Sequence, residues 1–186
     1  KILNKMGIDC SKKRAVRVTP DDYYKYNYLI CMDKNNIYNL TYIVGDDRNV
    51  YAEELKTLVN TNDMSQHIIF TGYKIKEDVY KYMQSAKALV VASYNEAFGR
   101  MTAEAAFNGT IPIARNTGGT KEILDTLGGV PFDGDYNNLA EKMEYVHNMS
   151  EDKYNRIISN AQQIAQEKYS IERNIAQIIN LYNGLI

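Results

Sequence analysis

Ala88-Leu89-Val90-Val91-Ala92-Ser93-Tyr94-Asn95-Glu96-Ala97-Phe98-Gly99-Arg100-Met101-Thr102-Ala103-Glu104-Ala105 passes from an apolar run into a glycine-bearing loop and then into a helix start. The run from Ala88 to Val91 is short and continuous, as suits a buried strand. The loop that follows leaves backbone N–H groups unpaired at the positive end of a helix dipole, a setting that favours a phosphate. Glu96 and Glu104 flank that anion site. A bare phosphate repels a carboxylate, so both glutamates are better suited to accept hydrogen bonds from hydroxyls on a ligand that carries sugar as well as phosphate. A nucleotide sugar carries both.

Working outward, apolar runs and amphipathic stretches alternate with no internal repeat and no low-complexity tract. That alternation predicts an α/β fold, a doubly wound parallel sheet of Rossmann-like type in a single compact domain. Strands are expected over residues 15–18, 28–32, 40–44, 67–71, 88–91, 111–114 and 129–132. Helices are expected over residues 20–26, 51–60, 75–83, 100–108, 120–125, 136–148, 151–167 and 171–185. Leu139, Met143 and Val146 share one helical face, as do Ile157, Ala161, Ile164 and Ala165. Ser150 and Ser170 stand where N-caps belong. Pro112 comes early in its strand, where a missing N–H does least damage.

The wider string ALVVASYNEAFGRMTAEAAFNGTIPIARNTGGTKEIL resembles the donor-binding half of a glycosyltransferase family 4 enzyme of the two-domain GT-B fold. The resemblance runs from about Leu40 to Ile186 and includes Tyr42-Ile43-Val44-Gly45-Asp46 and Ile69-Phe70-Thr71-Gly72-Tyr73. It implies that Glu104 accepts hydrogen bonds from ribose hydroxyls and that Glu96, the catalytic candidate, faces the transferred sugar. Ala97, Phe98, Gly99, Arg100 and Met101 would offer backbone N–H groups to the sugar and diphosphate, with Gly99 allowing close approach. Gly72 and Tyr73 fall where such enzymes hold the base, and Gly45 where their first loop faces the cleft. The implied donor is a UDP- or GDP-sugar, transferred with retention of configuration and without a metal or other cofactor.

In that family an Arg and a Lys just after the first strand also meet the diphosphate. No such segment is found before Val44-Gly45-Asp46, so donor affinity is expected to be weak. Residues 1–39, including Gly7-Ile8-Asp9-Cys10-Ser11-Lys12-Lys13-Arg14 and Tyr28-Leu29-Ile30-Cys31-Met32-Asp33, instead resemble an internal segment of a low-molecular-weight protein tyrosine phosphatase. Phosphatase chemistry is not implied. Its Cys-x5-Arg loop would need arginine at position 16 or 37, and Val16 and Ile37 stand there. The organisation expected is a strand-helix-strand scaffold over residues 1–39 followed by a donor-binding domain over residues 40–186, whether by engineering or by natural fusion.

Plainer readings compete at several positions. Glu104 by itself could be a favourable charge at a helix dipole, worth ~0.3–1 kcal/mol. Gly118-Gly119 suits a tight turn, although glycines after a strand also line ligand clefts in α/β sheets, and the cleft is favoured here. Asp133-Gly134-Asp135 has the look of a metal pair, but Asp135 is better read as the N-cap of the helix from Tyr136. His67 and His147 stand isolated, at a strand start and a helix end. The tyrosines are scattered, and Tyr94 is the one placed either to wall the cleft or to pack beneath the loop.

Composition excludes other classes. Of 186 residues, 45% are apolar and 24% charged, which is enough to build one substantial core. A net charge of −1 gives no electrostatic case for nucleic acid. No apolar run approaches the ~20 residues that span a bilayer. Two cysteines and no secretory pattern suggest a reducing, cytoplasmic setting. The expected function is nucleotide-sugar binding by a glycosyltransferase domain that is inactive alone, with an acceptor the sequence does not identify. The alternative is a chimeric or engineered α/β protein that folds but retains no activity.

Overall fold

The computed structural model describes residues 29–33 (backbone only), 41–45, 47–48, 50–94 and 96–184. The strand expected over residues 15–18 and the helix over residues 20–26 lie outside the described residues. In chain order the elements are β1 (Leu29–Asp33), β2 (Thr41–Val44), α1 (Val50–Thr61), β3 (Ile68–Gly72), α2 (Lys76–Ser85), β4 (Ala86–Val91) and α3 (Arg100–Phe107). They continue with β5 (Ile111–Arg115), α4 (Gly118–Leu127), β6 (Val130–Phe132), α5 (Tyr136–His147), α6 (Glu151–Tyr169) and α7 (Ile171–Asn183).

The strands form one sheet in the order β3-β2-β1-β4-β5-β6. β2 runs parallel to β3, and β4, β5 and β6 run parallel to one another. The expected doubly wound α/β architecture is therefore present, with one departure: β1 is antiparallel to both neighbours, Ile30 facing Ile43 on one side and Val90 on the other. Only residues 34–40 join β1 to β2. A parallel crossover takes a dozen residues or more, whereas a return of this length permits an antiparallel partner. β1 thus brings part of the segment expected to be a scaffold into the middle of the sheet.

The apolar run in β4 is continuous because both faces are covered. Leu89 and Val91 enter a cluster with Met83, Ala105, Ala114 and Leu124, under α2, α3 and α4. Ala88 and Val90 point the other way and meet Ile111, Ile113, Val146, Tyr154 and Ile158, under α5 and α6. Helices on both faces let a strand read as unbroken hydrophobic sequence. A third cluster, Ala103, Ala106, Ile123, Leu127, Ala161 and Ala165, packs α3, α4 and α6 together through small side chains. The face with Leu139, Met143 and Val146 and the face with Ala161 and Ala165 are both turned inward, as their spacing required.

Termini explain the remaining boundaries. Asp135 caps α5, its Oδ1 accepting from the N–H groups of Asn137 at 2.8 Å and Asn138 at 3.2 Å. Ser170 Oγ accepts from the Arg173 N–H at 3.3 Å and starts α7. Ser150 holds the N-cap position of α6, but its side chain makes no capping bond. The end of α5 is met by Lys87, whose Nζ donates to the His147 carbonyl at 2.6 Å and places a cation at the negative end of the dipole. Pro112 lies fully buried in β5, and β6 begins pairing only at Ile113, so one flank at Pro112 carries no ladder to lose.

Tyr154 gives the core a pH dependence. Its ring is buried under β4 and its hydroxyl donates to the Lys87 carbonyl at 3.1 Å. Burial pushes the phenol from the ordinary 10.0 up to about 12. The folded state therefore favours the protonated phenol, and this contribution is complete below pH ~10 and lost as pH rises towards ~12. In urea titrations between these values, the wild-type midpoint is expected to fall more steeply than that of Tyr154→Phe. Parallel pH profiles would show that the phenol is not coupled to folding.

Candidate functional site

In a sheet of this kind the loops that follow the parallel strands open along one edge, and ligands bind there where the strand order reverses. β2, β3, β4, β5 and β6 all end on that edge, so Gly45, Gly72, Glu96, Gly118 and Asp133 follow successive strand ends. The order reverses at β1, which separates the β2–β3 pair from β4, β5 and β6. The expected site residues accordingly fall into two groups.

The larger group is built by two loops pressed together. After β4 the chain reaches Glu96, whose carbonyl accepts from the Gly119 N–H at 2.9 Å. A Cβ on Gly118 would lie 2.5 Å from that carbonyl, and one on Gly119 would collide with the Ala97 carbonyl and sit 2.7 Å from Phe98 Cα. The glycine pair is thus the seat of the 96–98 segment, and this contact explains why α4 begins at Gly118, two residues earlier than expected. Gly99 returns the contact: it caps α3 in the left-handed region, φ 76°, and its Cβ would come within 3.0 Å of the Thr120 backbone. Its smallness serves the close approach of the α3 and α4 starts.

Side chains of the loop diverge. Phe98 is exposed and meets Tyr169 of α6 edge-on, ring centroids 6.2 Å apart. Met101 packs into the core beneath the helix, so only its backbone belongs to the site. Arg100 Nε stands 3.4 Å from Glu104 Oε1, one turn along α3, and Glu104 is mostly covered. Glu96 is half-buried. Tyr94 is exposed rather than tucked beneath the loop, and the Arg115 guanidinium stacks on its ring at 4.6 Å.

The smaller group lies across β1. The Gly45 N–H donates to the Gly72 carbonyl at 3.3 Å, tying the ends of β2 and β3. Gly72 takes φ 67°, with Asp47 close over it, and the next residue, Tyr73, is exposed. Asp47 is held in turn by Lys56 of α1, Nζ to Oδ2 at 3.4 Å. A cation missed in the sequence, Lys76, starts α2 and lies against the Tyr80 ring within electrostatic reach of Glu104. Lys76 is raised above the ordinary lysine range, chiefly by its hydrogen bond to Tyr80, with the Glu104 carboxylate a smaller contributor. Its position at a helix start, three residues beyond Tyr73, carried no motif. Also missed were the hydroxyls of Thr102, Thr117 and Thr120, buried beside the two helix starts without a hydrogen-bond partner.

Asp133 and Asp135 do not pair around a cation: Asp133 Oδ1 accepts from the Asp135 N–H at 2.9 Å while Asp135 serves as a cap. Among the described residues no three His, Cys, Asp or Glu side chains converge as a metal site would require. No described helix is long and apolar enough to cross a membrane.

Residues 29–164 match the family described as glycosyl transferases group 1. Among solved structures, sucrose-phosphate synthase from Thermosynechococcus elongatus superposes with a TM-score of 0.67 at 25% identity over 77% of this chain and 38% of that one. Anabaena HepE, solved in complex with UDP, gives 0.70 at 23% identity over 77% and 40%. The C-terminal domain of a glycosyl transferase group 1 family protein (LpcC) from Francisella tularensis gives 0.58 at 25% identity over 65% and 63%. The chain thus spans about two fifths of the first two structures. Comparison with curated proteins returns no match. None of these comparisons supports the likeness of residues 1–39 to a tyrosine phosphatase, and the family match begins inside that segment, at Leu29.

The interlock of the two loops has a direct test. Gly119→Ala must push backbone against backbone and is expected to cost about 1–3 kcal/mol in chemical denaturation. Gly184→Ala, whose Cβ would meet nothing closer than 3.5 Å, is the control and should stay within about 0.5 kcal/mol of wild type. Equal effects at the two positions would mean that the loop yields freely.

Proposed function

Because the chain belongs to the glycosyl transferases group 1 family, we propose that it is the nucleotide-sugar-binding domain of a retaining glycosyltransferase. The observation that carries this reading is the β4–α3 loop: Glu96 to Gly99 is fixed by the Gly119 N–H and the Gly99–Thr120 contact, and it runs into the N-terminus of α3 on the carboxyl edge of the sheet. Such a terminus turns the positive end of a helix dipole toward a diphosphate. Glu104, one turn along, accepts from the ribose hydroxyls, and Glu96 faces the sugar to be transferred. Tyr73 and Gly72 border the base, and Gly45 closes the cleft beside them. Anabaena HepE was solved with UDP-glucose, and a UDP- or GDP-sugar is the donor class proposed here.

The chemistry assigned to these residues is positional. The α3 N-terminus takes up negative charge as the nucleoside diphosphate leaves, with no metal ion and no cofactor required. Arg100 stands beside the Glu104 carboxylate and helps to aim it. The acceptor and its activation are assigned to a second domain, and this chain alone binds without turnover. A cytoplasmic setting fits a donor of this class.

Thermal-shift screening with UDP, GDP, ADP and their sugars tests the reading, since a ligand bound to the native state raises stability by mass action. Glu104→Gln is expected to weaken any ribose-bearing nucleotide, whereas Glu96→Gln should weaken the nucleotide sugar and scarcely alter the free diphosphate. Gly99→Val, which strains φ and strikes Thr120, should weaken both more severely. Equal losses of diphosphate affinity in the two glutamate variants would refute the assignment, and a wild type that no nucleotide stabilises would refute the function.

A further inference from the structure

Arg115 ends β5 on the ligand-binding edge, and its guanidinium lies between two loops of that edge. On one side it stacks on Tyr94, 4.6 Å from the ring centroid. On the other it occupies the space that a side chain at position 134 would need: a Cβ on Gly134 would stand 2.5 Å from Cζ and Nε and closer still to an Nη. Nε is buried and has no hydrogen-bond partner. The carboxylates on either side of Gly134 are engaged elsewhere, Asp133 with the Asp135 N–H and Asp135 as the α5 cap. Among the described residues Arg115 forms no ion pair, although Arg100 has the Glu104 carboxylate and Lys56 has Asp47 and Glu53.

A guanidinium with a covered N–H left unpaired is costly, because that donor has given up water without a replacement. A planar cation held against an aromatic face is also limited in the directions its remaining N–H groups can take, and this suits bidentate pairing with phosphate oxygens. Its position is as telling as its state. Tyr94 lies two residues before Glu96, and Gly118 lies three residues after Arg115, so the Tyr94 flank and the strand end that carries the guanidinium both lead into the interlocked loops of the proposed donor site, while the Gly134 flank belongs to the loop after β6.

We propose that Arg115 is an anion-binding residue of this site, holding the diphosphate of the donor. It supplies charge that Arg100, committed to Glu104, is poorly placed to give. Tyr94 orients the guanidinium, and Gly134 makes room for it. The inference rests on the donor-binding reading above.

Calorimetry of the 186-residue chain with UDP and uridine, and with GDP and guanosine, tests it. Arg115→Gln is expected to weaken the preferred diphosphate about tenfold or more while leaving its nucleoside unchanged, and Arg115→Lys to recover part of the loss. Gly134→Ala, which keeps the charge but crowds the guanidinium, should show the same selectivity. Unchanged diphosphate affinity in Arg115→Gln overturns the proposal, whether the guanidinium then serves an anionic acceptor or only supports Tyr94. Equal losses for nucleoside and diphosphate overturn it too, since they mark a structural role. A wild type that binds neither diphosphate removes the donor-binding reading itself, a result distinct from both.

Discussion

The site depends on a steric fit in which two loops are close enough to exclude side chains from each other. Gly119 donates to the Glu96 carbonyl, and Gly99 lies against the backbone of Thr120. Each contact needs a glycine because the opposing atoms are backbone and cannot turn aside. Two helix starts, those of α3 and α4, are thereby fixed side by side at the end of β4 and β5. α3 is only two turns long, and its packing on α4 and α6 comes through alanines that bury little area each.

The sequence conveyed this arrangement unevenly. β4 was legible because Ala88 to Val91 is apolar without alternation, which only a strand covered on both faces explains. The loop from Glu96 to Gly99 was legible as a loop ahead of a helix, because glycine and a carboxylate next to a helix start are an unusual combination. The direction of β1 was not legible, because a period of two is the same read either way, and only the short return to β2 decides it. Glycine is a poor helix former, so residues 118 and 119 suit a loop ahead of the helix, yet tertiary contact with Glu96 and Ala97 draws them into α4.

Arg115 and Lys76 escaped notice for a different reason. Each has meaning only through neighbours that are distant in the chain: Arg115 through Tyr94 and Gly134, Lys76 through Tyr80 and Glu104. A motif records residues adjacent in sequence, whereas this edge is assembled from the ends of several strands. The amphipathic pattern of α7 shows the converse limit. Ile171, Ile175, Ile178 and Ile179 are spaced as a packed face would be, and all are exposed. Periodicity specifies a face and leaves open what, if anything, covers it.

The reversed strand has a consequence for how the molecule comes apart. β2 and β3 are hydrogen-bonded to the rest of the sheet only through β1, since the sheet order places it between β2 and β4. It is a seam. Opening the β1–β4 ladder would release β1, β2 and β3 as one unit while β4, β5 and β6 keep their helices on both faces. Sub-global opening of this kind separates a protein into regions with different amide-exchange lifetimes. The proposed donor site lies over the same seam, with Tyr73 on one side and Glu104 on the other. A ligand that bridges them would join the two regions into a single cooperative unit, so occupancy would be written in the exchange rates of strands it never touches.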